Sequence, residues 1–156
     1  MAGILIVDSA RKKRQARVWI VDDEPGQRQR AKEVVQHVFQ SAGIPLQVTE
    51  WDGVALLPSG PKADFVILDL NLGDHVPSGL KLFGNIPGVQ PDRISGPFII
   101  IWSHFEGDPT HKLSTVLSQY PGDRMVRTRW KSETHLQEAL ECLVQRFKDE
   151  GVSHGE

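Results

Sequence analysis

Several side chains suited to handling a charged, oxygen-rich group stand at the ends of short apolar runs in this chain. Asp22 and Asp23 follow Val18-Trp19-Ile20-Val21, and Asp69 follows Phe65-Val66-Ile67-Leu68. Ser103 follows Phe98-Ile99-Ile100-Ile101-Trp102, and Arg129 and Lys131 follow the stretch from Met125 to Thr128. Three carboxylates brought together repel one another. At ~4 Å and an effective dielectric near 20 each pair costs about 4 kcal/mol, so some stay protonated or a cation sits among them. Oxygen ligands in small number, with no cysteine or histidine at these positions, suit Mg²⁺, which takes one or two carboxylates, keeps waters and shares phosphate oxygens. Zinc does not fit, and the single cysteine, Cys142, excludes both a multi-cysteine metal cage and an internal disulfide.

Taken one at a time, these residues have plainer readings. An acidic pair after a strand is commonly a solvated loop, and Ser103 alone would be a helix cap or a turn hydroxyl. His104 beside Ser103 is weak support for hydrolytic chemistry, and the remaining histidines are scattered. Trp102, next to core isoleucines, reads as core, and Cys142 as a small packing residue. The reading of one site depends on whether the fold gathers these positions.

The elements that would gather them are regular. The runs at Val18–Val21, Phe65–Leu68 and Phe98–Trp102 read as strands buried on both faces, with Leu46–Glu50 and a weaker Met125–Thr128 completing five. Ala31, Val34, Val35, Val38 and Ala42 recur at helical spacing, and Gly43 and Pro45 end that helix. Short helices are expected at Val54–Leu57, around Leu80, Leu82 and Phe83, and around Leu113, Val116 and Leu117. Ser132 can cap a last helix whose buried stripe is Leu136, Leu140, Leu143 and Phe147. This alternation predicts an α/β fold, a doubly wound five-stranded parallel sheet with helices on both faces. In such sheets ligands bind beyond the carboxyl ends of the strands, where strand order reverses. Those ends carry the residues named above.

Three segments then become specific. Val21-Asp22-Asp23-Glu24-Pro25, Val66-Ile67-Leu68-Asp69-Leu70-Asn71-Leu72 and Ile99-Ile100-Ile101-Trp102-Ser103-His104 resemble, in order and separation, the signatures of response-regulator receiver domains of two-component signalling, the stand-alone chemotaxis-regulator type included. The resemblance covers about Val18 to Glu150. It implies a flavodoxin-like strand order of 2-1-3-4-5 and a phosphorylation-controlled signalling role. It also implies that Asp69 accepts the phosphoryl group from a sensor histidine kinase or phosphotransfer protein. Asp23 and Asp69 would hold Mg²⁺ with the backbone carbonyl of Asn71, and Asp22 would assist through a water. Ser103 would hydrogen-bond a phosphoryl oxygen, and a basic residue after the fifth strand would pair with it. The face made by the fourth helix, fifth strand and fifth helix is the implied docking face for a downstream target or a second copy.

The chain departs from that pattern in three places. The family usually ends the fifth strand with Lys-Pro, whereas this chain reads Thr128-Arg129-Trp130-Lys131-Ser132. A gapless alignment puts Arg129 at the lysine position; a two-residue deletion puts Lys131 there, which is preferred because arginine differs in geometry. The usual aromatic switch residue is replaced by Val126 or Thr128, leaving Trp102 and Trp130 as nearby aromatics. The loop after Asp69 is longer and has Gly73 where proline is common.

Composition bounds the function. The 156 residues carry a net charge of −2, and 39% are hydrophobic, so neither nucleic acid nor an anionic membrane is an expected partner. No apolar run approaches a membrane span. Residues 1–17 read as an N-terminal extension, 18–150 as the receiver domain and 151–156 as a tail. In the extension the apolar Met1–Val7 precedes the basic Arg11-Lys12-Lys13-Arg14, the reverse of an export signal. A cytoplasmic protein is expected, with the extension an unstructured arm, an added edge strand at Ile4–Val7 or a basic contact arm. A competing reading is a receiver-like adaptor that binds partners independently of phosphorylation, motivated by the three departures. An aspartate-nucleophile phosphatase fits poorly, since that class carries a second acid two residues after the nucleophile and Asn71 stands there. No turnover of an external substrate is expected.

Overall fold

Strands that are apolar at consecutive positions need cover on both faces of their sheet. Ala16–Val21 forms β1, Leu46–Trp51 β2, Phe65–Leu68 β3, Phe98–Ile101 β4 and Met125–Arg127 β5. Every residue of β3 and β4 is buried, whereas Gln47 and Glu50 of β2 are exposed. Two helices lie among the described residues, α1, Pro25–Ala42, and α2, Glu133–His154. The computed structural model describes residues 15–52, 63–69, 97–102, 124–128 and 131–154. The helices expected at Val54–Leu57, around Leu80–Phe83 and around Leu113–Leu117 lie outside the described residues, as does the extension up to residue 14.

The five strands form one parallel sheet in the order β2-β1-β3-β4-β5. This is the expected flavodoxin-like α/β class. The register sets Val18 beside Phe65, Phe65 beside Phe98, and Ile99 beside Met125. The chain leaves β1 for one side of the sheet and returns to pair β3 on the other, so strand order reverses between β1 and β3. Their adjacent carboxyl ends, Val21 and Leu68, are register partners.

One face of the sheet packs on both helices. Val18, Ile20, Phe65, Ile67, Phe98, Ile100 and Trp102 meet Val35 and Phe39 of α1 and Leu136, Leu140, Leu143 and Phe147 of α2 in one core. Phe65 lies at its centre, 5.1 Å from the ring of Phe39, 5.3 Å from Phe98 and 5.3 Å from Phe147. On the opposite face Trp19, Val66, Leu68, Ile99 and Ile101 are equally closed to solvent.

Local chemistry sets the element ends. Pro25 opens α1, where its missing N–H costs nothing, and Gly43 closes it in the left-handed region at φ 71°. The Gly43 and Ile44 N–H groups then donate to the Gln40 and Phe39 carbonyls at 3.0 Å. The Ser132 Oγ accepts the His135 N–H at 3.2 Å at the start of α2. β1 begins at Ala16, two residues before the apolar run, because Ala16 is fully buried and its N–H donates to the Pro45 carbonyl at 2.8 Å. α2 continues to His154, past residue 150.

Candidate functional site

The sheet ladder itself brings the acidic residues together. The Asp69 N–H donates to the Val21 carbonyl at 2.9 Å, and the Asp22 N–H donates to the Trp51 carbonyl at 3.1 Å. Each aspartate thus extends its strand by one backbone bond and presents its carboxylate just past the sheet edge. Carboxylate oxygens of Asp22, Asp23 and Asp69 lie within 4.8 Å of one another, the one such acidic group among the described residues. Asp22 and Asp69 are buried and Asp23 is half-buried.

Three more atoms of Asp22 are held. Its Oδ1 accepts the Glu24 N–H at 3.0 Å, fixing the turn into α1. Its carbonyl accepts a 2.7 Å bond from Arg28 Nη1, and Arg28 also faces Glu50 of β2 at 3.5 Å. Its Oδ2 accepts a 2.7 Å bond from Lys131 Nζ, which donates to Asp69 Oδ2 at 3.1 Å as well. All three side chains of this ion triplet are nearly closed to solvent.

Burial pushes the Asp22 carboxyl above its usual range, with the Asp69 charge adding to the rise; the bonds from Lys131 and the Glu24 N–H pull against it. Burial also disfavours the Lys131 ammonium, but its bond to Asp22 and the charges of Asp69 and Asp22 outweigh that, and its pKa is raised. The ammonium is the protein's own counter-charge to a carboxylate pair.

The donor set fits a hard divalent cation. It offers oxygen alone, one atom from each of three carboxylates within 4.8 Å, and half-buried Asp23 leaves a route for water ligands. Asp22, Asp23 and Asp69 are therefore brought together, with Lys131 against two of them. Asn71, Ser103 and Arg129 lie outside the described residues. Arg28 has no signal in the sequence beyond its place in the first turns of α1, yet it anchors the Asp22 backbone. Thr128 is buried, with its hydroxyl bonded to the Ile101 carbonyl at 3.2 Å. Trp102 is also buried, with its indole N–H bonded to the Ser132 carbonyl at 2.9 Å.

No protein-family model and no curated protein matches this chain. Solved structures do. The chemotaxis response regulator CheY4 of Vibrio cholerae is 20% identical, covering 85% of this chain and 98% of its own, with a TM-score of 0.50. A fusion carrying a yeast Spc42 trimeric coiled-coil segment is 16% identical, covering 89% of this chain and 84% of its own, with a TM-score of 0.53. At these identities the likeness is one of backbone architecture. The strand order, the reversal between β1 and β3 and the alignment with CheY4 agree on one statement: this chain has the fold of a response-regulator receiver domain.

Proposed function

We propose that this chain is a phosphorylation-controlled signalling module in which Asp69 accepts a phosphoryl group. The observation that carries the reading is the convergence of Asp22, Asp23 and Asp69 within 4.8 Å at the strand reversal, with the Lys131 ammonium against two of them. An ionised Asp69 is the nucleophile, so no proton leaves it. The P–N bond of a partner's phosphohistidine breaks as the P–O bond to Asp69 forms, and the departing imidazole is left neutral after taking up a proton. Lys131, whose ammonium donates to Asp69 Oδ2 at 3.1 Å, would neutralise charge on the transferred group. Asp23 and Asp69, with the Asn71 carbonyl and with Asp22 through a water, are the residues that would hold Mg²⁺, which when bound supplies further charge neutralisation. Ser103 is the proposed hydroxyl partner of a phosphoryl oxygen, and Arg129 remains the alternative to Lys131.

In this reading the donor is a histidine kinase or a phosphotransfer protein. The output is a change in affinity for a protein partner, or for a second copy, at the face that includes β5 and α2. Incubation with acetyl phosphate and Mg²⁺ followed by intact mass measurement tests it. One phosphoryl adduct is expected on the wild type and none on Asp69→Asn; equal labelling of the two would remove Asp69 from the role.

A second reading, an adaptor that works without phosphate, is favoured by one observation. The Lys131 ammonium already compensates Asp22 and Asp69, so the triplet is a self-sufficient structural unit. It predicts no Mg²⁺-dependent adduct in the same experiment.

A further inference from the structure

A lysine ammonium sits at the end of a flexible four-carbon stem, so its usefulness beside Asp69 depends on what holds its backbone. The receiver signature follows its lysine with proline, whose ring restrains the chain. Here Ser132 follows Lys131, and the restraint has to come from elsewhere.

The structure puts it on Trp102. The Trp102 indole N–H donates to the Ser132 carbonyl at 2.9 Å, across thirty positions of sequence. The Trp102 backbone N–H donates to the Leu68 carbonyl at 3.0 Å, one residue before Asp69. One residue therefore bonds both to the strand that carries Asp69 and to the segment that carries Lys131. The Lys131 Nζ lies 5.3 Å from the Trp102 ring centroid, within the range of cation–π attraction. Trp102 is 1% exposed within the core under α1 and α2, so its ring has no space to swing away. On the other side of the same segment, Ser132 is fixed as the cap of α2 by the His135 N–H, and Glu133 pairs with Arg30 of α1 at 3.0 Å.

We propose that Trp102 is the positioning residue for Lys131, taking over through its indole N–H and ring face the restraint that proline provides in the receiver signature. The proposal rests on the reading of Asp69 as phosphoacceptor. Trp102 acts through Lys131.

Trp102→Phe keeps a buried aromatic ring and removes the N–H. Phosphoryl uptake from acetyl phosphate should slow about fivefold to tenfold, the scale of one lost hydrogen bond. Mg²⁺ binding, read by direct titration, should be retained and not weakened, because the three aspartates are untouched and a less firmly held ammonium competes less for them. In a Lys131→Ala background the same substitution should have no further effect on uptake. Independent, multiplying losses in the two variants would show a merely structural role and overturn the proposal. Should Trp102→Phe fail to fold, the wild-type Trp102 indole N–H resonance decides. It should be protected from solvent exchange and should shift when Mg²⁺ and beryllofluoride are added; rapid exchange, or no shift, overturns the proposal. Absence of any adduct on the wild type would bring down the phosphoacceptor reading and this proposal with it, whereas normal wild-type uptake matched by Trp102→Phe would bring down this proposal alone.

Discussion

Replacing Lys131 by methionine removes a charge from between two buried carboxylates while keeping an unbranched stem. With Nζ at 2.7 Å from Asp22 Oδ2 and 3.1 Å from Asp69 Oδ2, the gross attractions at an effective dielectric of 20 are about 6 and about 5 kcal/mol. Most of that is offset by the cost of desolvating three ions, whose side chains are only 3–6% exposed. Breaking such a set from one side leaves uncompensated buried charge and costs about 3–5 kcal/mol. The carboxylates, within 4.8 Å of one another, would then repel without the ammonium between them. In metal-free buffer at neutral pH, Lys131→Met should lose stability on that scale. A divalent cation returns the counter-charge, so Mg²⁺ should stabilise the variant by about 2.7 kcal/mol at a hundred times the variant's Kd, and the wild type by less at the same concentration. Urea unfolding of both proteins with EDTA and with Mg²⁺ provides the four free energies. A loss below about 1 kcal/mol, the scale of an exposed ion pair, would refute the argument. So would an equal Mg²⁺ gain in both proteins, which would mean that the ammonium and the metal do not share the same carboxylates.

Two further outcomes follow from the same geometry and from the core. Asp22 has a raised pKa in the folded chain, so its contribution to stability is complete below its ordinary 3.8 and is lost as pH climbs through the folded value. Lys131 is raised above 10.5, so its contribution is complete below 10.5 and is lost only as pH rises through its folded value. Urea midpoints across the acidic range should carry the Asp22 component in the wild type and lack it in Asp22→Asn; a difference between the two that stays constant with pH would contradict this assignment. In the core, Phe147→Ala removes a ring that is 4% exposed and 5.3 Å from the Phe65 ring. It should destabilise by about 3–5 kcal/mol in the same assay, and a loss under about 1 kcal/mol would mean that α2 packs more loosely than described.

Much of this molecule was legible before its structure. Short runs apolar at every position, broken by Asp, Gly and Pro signals, specified strands buried on both faces and the class of sheet they form. The stripe Leu136, Leu140, Leu143 and Phe147 is the buried face of α2, and Ser132 is its cap. These features are local, and period and capping chemistry express them directly. Element ends were less legible. Ala16 joins β1 through a bond to Pro45, and no pattern around Ala16 announces a partner so far along the chain.

What the sequence determined alone, then, was which residues stand at the carboxyl ends of strands: Asp22, Asp23 and Asp69. That follows from where each apolar run stops. The tertiary structure decided which side chains meet. Lys131 lies 109 positions from Asp22 and 62 from Asp69, and the spacing after β5 left Lys131 and Arg129 as alternatives. The lysine ammonium reaches both carboxylates because Thr128 is bonded to β4 and Trp102 and α2 hold Ser132 in place. A flexible side chain carries no record in local sequence of where its charge will rest; only the packing around its backbone supplies that.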